Sequence, residues 1–187
     1  MEEKDLIIRI LSGDKIAFKE LFDLYSTKVY NTTLGYLQNK EDAEDLTQDI
    51  FLQIYKSLGG FKQDSSLNTW IYRIAINKSF EFLRNKSRKK RFAFVKSIFH
   101  KDDEEYEIED FIHPGIILEN KEKARILFKA INRLPDNQKT AFVLNKIEYL
   151  SYDEICEVMK LSKSSVESLI HRAKSNLQIY LYDFYRK

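Results

Sequence analysis

Hydroxyl and nitrogen-bearing side chains are concentrated in one short segment near the C-terminus of the chain. The serines come first, and imidazole and cationic side chains follow one and two helical turns later. The set comprises Ser162, Ser164, Ser165, Ser168, His171, Arg172 and Lys174. Such groups hydrogen-bond to phosphates and to the edges of bases. The segment therefore indicates a contact with nucleic acid, and a solvated helix face capped by Ser162 is the alternative.

A helix-turn-helix would position these side chains. Ser151 and Glu154 have the S-x-x-E spacing of a capping box, which predicts a short helix ending at Met159. A second helix is predicted from 162–165 through Leu177. Two helices that cross around a short turn bury apolar residues at fixed offsets. The candidates for those offsets are Ile155, Met159, Leu161, Val166, Leu169 or Ile170, and Ala173. In this motif the start of the second helix enters the major groove of DNA.

No cluster of residues predicts catalysis, a metal or a cofactor. His100, His113 and His171 are scattered along the sequence, and there is no glycine-rich phosphate loop. The only cysteine, Cys156, fits as a compact apolar residue at the helix crossing. Asp45 and Asp49 lie one helical turn apart and could hold Mg²⁺, but a solvated helix face is favoured. The chain is therefore predicted not to be an enzyme.

The composition predicts an all-helical protein inside the cell. The chain has 187 residues, 43% of them hydrophobic, with only five glycines and two prolines. Helix breakers are too scarce for many strands and tight turns. The N-terminus lacks the pattern of an export signal, and no apolar run reaches the roughly 18 residues that span a bilayer. These features predict a cytoplasmic protein without membrane insertion.

Charge is distributed unevenly, although the formal net charge is only +2. Residues 84–91 read RNKSRKKR without an acidic residue, and residues 102–110 read DDEEYEIED without a basic one. The sequence from about 92 to 114 has no sustained helical apolar period. We therefore predict two small helical domains, 1–92 and 119–187, joined by a flexible acidic linker, 93–118.

Helical apolar spacing predicts four helices in the first domain and at least four in the second. In the first domain, the first helix is Asp5–Leu11, and the second has Phe18, Leu21, Phe22, Tyr25 and Val29 on one face. The third is capped by Asn39, with Asp42 in the reciprocal position, and is ended by Gly59 and Gly60. The fourth runs from Leu67 or Asn68 to about Lys86 and buries Trp70, Ile71, Ile74, Ala75 and Phe82. In the second domain, a helix from near Glu119 stops at Leu134 and Pro135, and Asn137–Ile147 precedes the helix-turn-helix.

Five separated segments together resemble a known family. They read SGDKIAFKELFDLYSTKVY, EDAEDLTQDIFLQIYKSLGGF, TWIYRIAINKSFEFLR, INRLPDNQKTAFVLNKIEYLSYDEI and SSVESLIHRAKSNL. The chain is similar to the extracytoplasmic-function (ECF) group of bacterial sigma factors, which retain the second and fourth domains of the larger sigma-70 proteins. The resemblance covers nearly the whole chain apart from the linker.

The resemblance implies a non-enzymatic partner of core RNA polymerase and of promoter DNA. In the family, the helix corresponding to Asn39–Leu58 binds the clamp of the largest polymerase subunit, and the second domain lies at the flap region. The exposed positions Asp45, Gln48, Asp49 and Gln53 are the implied clamp contacts, and they suit a basic or polar partner surface. Solvation alone is the alternative for such a face. The family also implies an anti-sigma factor as an inhibitor.

The loop 59–67 and the following helix correspond to the part of the family that reads and melts the −10 element. Asn77 matches an asparagine near a flipped base, and Phe61 matches an aromatic residue at the same site. Arg73, Lys78, Arg84 and Lys86 are the implied phosphate contacts. Core packing is preferred for Trp70 and Tyr72, because they follow the apolar stripe.

The second helix of the helix-turn-helix corresponds to the reader of the −35 element, but its sequence departs from the family pattern. Many relatives carry Gly-Thr-Val followed by basic residues, whereas this chain reads Ser164-Ser165-Val166-Glu167-Ser168. Glu167 could accept a hydrogen bond from a cytosine amino group, or it could cap the helix with Ser164. Both readings stay open from the sequence.

Two further alternatives remain at the level of the sequence. The acidic residues 102–110 could mimic nucleic acid inside a polymerase channel, or they could only keep the linker in solution. The whole chain could also be an autonomous helix-turn-helix regulator whose first domain senses a signal or dimerises. The segment RIAINK argues against that alternative, because a simple regulator has no need of it.

Overall fold

The computed structural model describes residues 3–97 and 121–185, with side chains for residues 3–88, 123–182 and 184. Within these ranges the chain forms eight α-helices and no strand, so the all-α prediction is confirmed. The helices are α1 (Glu3–Leu11), α2 (Lys15–Leu37), α3 (Lys40–Ser57), α4 (Leu67–Ser97), α5 (Lys121–Asn132), α6 (Asp136–Lys146), α7 (Tyr152–Met159) and α8 (Lys163–Tyr185). Residues 102–110, His100 and His113 lie outside the described residues.

The helix ends follow the capping chemistry of the sequence. Asn39 caps α3 as predicted, because its side chain accepts a hydrogen bond from the Asp42 backbone N–H at 2.7 Å. Beyond the cap, the Asp42 carboxylate accepts a hydrogen bond from Lys86. After Ser57 the chain tightens into a 3₁₀ turn over Leu58–Gly60, so the two glycines end the helix where predicted. Asp14 caps α2 in the same way through the backbone N–H groups of residues 16 and 17.

α4 is longer than the sequence predicts. Its backbone continues through the basic cluster to Ser97, past the expected helix end near Lys86 and past the domain boundary drawn at residue 92. Lysine and arginine are good helix formers, so a run of them extends a helix although it adds no apolar period. The segment between the two helical groups that lies outside the described residues is therefore 98–120.

The first four helices enclose one core. Leu21, Ile50, Ile54, Leu67 and Ala75 are fully buried in it, and α1 contributes three further buried residues. Phe22, on the predicted apolar face of α2, is 39% exposed, and its ring packs against that of Phe51 with centroids 4.6 Å apart and planes tilted by 52°. Trp70, Ile74 and Phe82, which were predicted to be buried, are only partly buried and pack against this core.

The helix-turn-helix forms as predicted. α7 begins with a reciprocal capping box between Ser151 and Glu154, and Ile155, Val166 and Ala173 are fully buried. The prediction for Leu161 was wrong: it lies in the turn and is 37% exposed. Val158 is buried instead, because the helix places it one turn after Ile155. Cys156 is partly buried and packs against this core.

The two halves pack against each other. Tyr36, Tyr72 and Ile76, from α2 and α4, are buried in the same apolar cluster as Phe128 and Ile155 of the second half. Polar contacts support this packing. The side-chain amide of Gln38 donates to the Phe128 carbonyl at 2.9 Å, and Lys139 Nζ donates to the Tyr36 carbonyl at 3.0 Å. In the described part of the chain, the two helical groups therefore form one closed arrangement.

Candidate nucleic-acid interface

Three of the predicted −10 residues lie on one face of α4. At about 100° of rotation per residue, Arg73, Asn77 and Arg84 fall within about 40° of one another. They line a groove of about 550 Å³ whose opposite wall comes from α6 and from the end of α7, including Asp136 and Lys160. Asn77 and Arg84 are exposed on this face, and Arg73 is partly buried. The face combines two guanidinium groups and an amide, which are donors suited to phosphates and base edges.

Arg73 is occupied by the second half of the protein. Its Nε donates to the Val158 carbonyl at 3.2 Å, and its Nη2 donates to the Glu157 carbonyl through a short hydrogen bond. Its Nη1 reaches the Ser65 hydroxyl at 3.4 Å. The guanidinium group therefore lies against the C-terminal end of α7, the first helix of the helix-turn-helix.

The other predicted −10 residues do not join this face. Lys78 and Lys86 lie about 140° from Arg73 around the helix, one on each side. Lys78 pairs with Glu81 at 3.3 Å, and Lys86 pairs with Asp42 at 2.6 Å. Phe61 is partly buried, and its ring centroid is 5.1 Å from that of Trp70. Phe61 lines a different depression, with Ile7 and Ser65, and not the groove.

The predicted −35 residues lie on the exposed side of α8. Because α8 begins at Lys163, its N-cap is Ser162, whose hydroxyl accepts from the Ser165 backbone N–H at 3.3 Å. A capping box between Ser164 and Glu167 is therefore not formed at the helix start. Glu167 is exposed and lines a shallow depression with Ser168, His171 and Arg172.

Helical rotation arranges these side chains along one line. Ser164, Glu167, His171 and Lys174 fall within about 80° of one another around α8, and all four are exposed. Arg172 lies to the side of this line, where its Nε donates to the Ser168 carbonyl at 3.2 Å. The line is long enough to follow a DNA groove for about three helical turns.

The predicted polymerase contacts on α3 also share one face. Asp45, Gln48 and Asp49 are exposed and Gln53 is partly exposed. Leu52 and Tyr55, which were not predicted as contacts, lie on the same face and are 55% and 52% exposed. The available signal was the consecutive apolar run Ile50-Phe51-Leu52, because one helix face cannot bury three successive side chains.

A buried lysine and a partly buried glutamate lie where the halves meet, and neither was predicted from the sequence. Burial raises the pKa of Glu148 to about 7, although a hydrogen bond from the Tyr72 hydroxyl at 3.4 Å acts in the opposite direction. Burial lowers the pKa of Lys139 to about 8, and Asp136 partly offsets this effect. Each residue bridges to the first half, so both belong to the contact between the halves.

The described residues give no metal or membrane signature. Within 3–97 and 121–185, no three His, Cys, Asp or Glu side chains lie close enough together to hold a metal ion. In the same ranges, no helix combines the length and apolar character that crossing a bilayer requires. Asp45 and Asp49 are both exposed on α3.

Fold and site together define a two-part helical DNA-binding protein, with a polar face on α4 and a helix-turn-helix formed by α7 and α8. Family models agree with this division. Residues 21–89 match sigma-70 region 2, and residues 124–177 match sigma-70 region 4. We call the helical group α1–α4 region 2 and the group α5–α8 region 4.

Curated relatives match over almost the full length. The chain is 32% identical over 182 residues to the ECF RNA polymerase sigma-E factor of Haemophilus influenzae, covering 95% of this chain and 94% of the relative. It is 30% identical over 178 residues to the corresponding Escherichia coli protein, covering 93% and 91%. The chain therefore belongs to the ECF group of the sigma-70 family. It is an alternative sigma factor that directs transcription initiation.

Solved structures show the same fold. CnrH in complex with the cytosolic domain of CnrY is 23% identical with a TM-score of 0.67, covering 97% of each chain. The sigma factor RpoE of Bartonella quintana, in complex with the anti-sigma factor NepR, is 22% identical with a TM-score of 0.65, covering 88% of this chain and 96% of that one. At these identities the likeness supports the fold.

Proposed function

We propose that the α4 face carries the −10 function of this sigma factor, with Asn77 reading a base and with Arg73 and Arg84 holding phosphates. The observation that supports this assignment is the convergence of the three side chains on one groove wall. Phe61, beside Trp70, would stack on an unpaired base at the start of the helix. Lys78 and Lys86 would add positive electrostatic potential near the melted DNA strand once their carboxylate partners are displaced. The phosphate contacts give affinity without sequence information.

The exposed face of α3 is the proposed contact with the polymerase clamp. Asp45, Gln48, Asp49 and Gln53 supply charge and hydrogen-bond acceptors, which steer association. Leu52 lies among them and provides an apolar anchor that a solvated face does not need. Protein interfaces typically place such an anchor inside a polar rim.

α8 is the proposed reader of the −35 element. Ser164, Ser165 and Ser168 offer hydroxyl groups, and His171, Arg172 and Lys174 offer cationic or hydrogen-bonding nitrogen atoms. Glu167 is free to accept from a cytosine amino group, because Ser162 carries out the capping of the helix. A carboxylate facing phosphate would weaken binding, so a base is the better partner.

The partners follow from the family. Core polymerase is contacted by region 2 at the largest-subunit clamp and by region 4 at the flap region, and an anti-sigma factor is expected because two similar structures are complexes with such inhibitors. The division of the chain is proposed as 1–92 and 119–187, with the connecting segment between them. Since polymerase supplies the catalysis and works in the cytoplasm, we infer a cytoplasmic protein with no enzymatic site of its own. An autonomous regulator remains the competing function.

The experiment compares Asn77→Ala with Asn85→Ala, an exposed asparagine on the same helix. Open-complex formation is followed by permanganate reactivity of the melted strand, and core binding is followed by gel filtration. Asn77→Ala should reduce open-complex formation at least about fivefold, as expected for loss of about 1–3 kcal/mol of base contact, while core binding is retained. Asn85→Ala should leave both unchanged. Equal loss of both activities in Asn77→Ala would remove the assigned role.

A further inference from the structure

The end of α7 covers the Arg73 end of the polar face of α4. Arg73 donates to the carbonyls of Glu157 and Val158, the two residues that precede Met159 at the end of that helix. Next to it, the Thr69 hydroxyl donates to the Glu157 carboxylate at 3.1 Å. A region 4 helix therefore binds the guanidinium group of Arg73, to which a phosphate contact has been assigned.

The chemistry of this contact resembles that of a phosphate. The last four carbonyls of a helix lack partners within the helix, and they carry the negative end of its dipole. Two such oxygens, the carbonyls of Glu157 and Val158, accept from the same guanidinium group of Arg73. A guanidinium group binds fork-shaped acceptors of this kind as it binds the oxygens of a phosphate.

The contact belongs to a larger interface. Glu148 accepts from the Tyr72 hydroxyl, and the Gln38 side chain bonds to the Phe128 carbonyl and to Asn132 on the far side. The buried side chains of Tyr36, Tyr72 and Ile76 fill the space between. These apolar and polar contacts together hold α7 in place over α4.

Both halves of the protein line the groove beside the contact. Its volume is about 550 Å³. Asn77 and Arg84 lie on one wall, and Asp136 and Lys160 lie on the other. A melted strand that contacts Arg73, Asn77 and Arg84 together would have to displace α7.

We propose that α7 is an intramolecular competitor of promoter DNA, which closes the −10 face of region 2 while it leaves the −35 face of α8 exposed. This inference rests on the proposed assignment of Arg73 to DNA. In the closed form the guanidinium group binds helix carbonyls, and in the open form it binds phosphate. Since opening must precede binding, the apparent affinity for DNA is lowered in proportion to the open fraction.

A charge reversal at Glu157 tests the competition. Glu157→Arg removes the acceptor of Thr69 and places a positive charge beside Arg73, so region 4 should be released. The matched control is Asp153→Arg, an equal charge change on the same helix at a residue that pairs with Lys163 inside region 4. Glu157→Gln is a second control, because an amide oxygen still accepts from Thr69.

Closure is measured in the full-length chain with spin labels on Glu44→Cys in α3 and Gln178→Cys in α8, in a Cys156→Ser background. We expect one short distance for the otherwise unchanged chain, for Asp153→Arg and for Glu157→Gln, and a long, broad distribution for Glu157→Arg. An unchanged distance in Glu157→Arg would overturn the proposed closure.

DNA binding is measured in the same proteins with a fluorescent single-stranded oligonucleotide of mixed sequence. Glu157→Arg should bind at least about fivefold more tightly than Asp153→Arg, the lower end of ordinary coupling between sites. Adding Arg73→Ala should remove the gain. Opening without a gain in binding, or an equal gain in Asp153→Arg, would overturn the competition. If the protein with both Glu157→Arg and Arg73→Ala opens and still binds DNA more tightly, the assignment of Arg73 to DNA is refuted.

Discussion

Glu148 gives the contact between region 2 and region 4 a dependence on pH. Its Oε2 accepts from Tyr72 of α4, Lys28 of α2 lies near enough to stabilise its charge, and Glu154 of α7 adds negative charge around Tyr72. Burial outweighs these effects and raises the pKa of the carboxyl to about 7 from an ordinary value of 4.5. When the halves separate, the carboxyl gains water and its pKa falls toward the ordinary value.

Proton binding determines the direction in which the stability of the closed form changes with pH. Between the two pKa values the closed form holds a proton that the open form releases, so closure is most stable at low pH and weakens as pH rises from about 4.5 to about 7. One pKa unit corresponds to about 1.4 kcal/mol, which sets an upper limit of about 3 kcal/mol. We expect about 1–2 kcal/mol, because region 4 itself supplies part of the burial and keeps it after opening. Lys139 has a pKa of about 8 and therefore titrates above this window.

The assay is the spin-label distance between α3 and α8, recorded at about pH 5.5, inside the window set by linkage, and at about pH 7.5, just above it. The open fraction should rise about tenfold over this range for the unchanged side chain, as 1–2 kcal/mol requires. Glu148→Gln cannot ionise, so its open fraction should stay at the low-pH value. A pH dependence that persists in Glu148→Gln, or that runs in the opposite direction, would refute the reasoning.

Two further predictions concern the partner surfaces. Leu52→Glu should weaken binding to core polymerase by about 2 kcal/mol or more, the loss typical of a buried anchor, in a fluorescence titration. The matched control is Leu24→Glu, an equally exposed leucine of α2, and equal weakening by both would argue against an anchor. Glu167→Ala should relax the preference at one base pair of the −35 element by about 1–3 kcal/mol, measured by selection from a randomised promoter pool. A uniform change in affinity across all sequences would instead place Glu167 near phosphate.

Local features of the fold were predictable because their causes are local. The capping box of Ser151 and Glu154 and the cap at Asn39 each involve residues three positions apart, so the sequence alone determines them. The buried side of the helix-turn-helix followed from helical spacing, apart from Leu161. That residue lies in the turn, where the helical period no longer applies.

The arrangement of the site was less predictable because its partners are remote in sequence. Arg73 and Glu157 are 84 residues apart, and Gln38 and Phe128 are 90 residues apart. In both contacts the acceptor is a backbone carbonyl. Every residue type has such a carbonyl, so the sequence does not indicate the partner. The pKa shifts of Glu148 and Lys139 depend on the same packing between the halves. The spacing of residues along the sequence does not predict that packing.

The central claim is that one chain carries two DNA readers that work when polymerase fixes their separation. The most direct measurement is run-off transcription by core RNA polymerase from a randomised promoter library, with the transcripts sequenced, in the presence and absence of the protein. We expect transcripts that depend on the protein and start downstream of two sequence elements at a constant spacing. Tight binding of the protein to one duplex element without polymerase, together with no dependent transcripts, would contradict it.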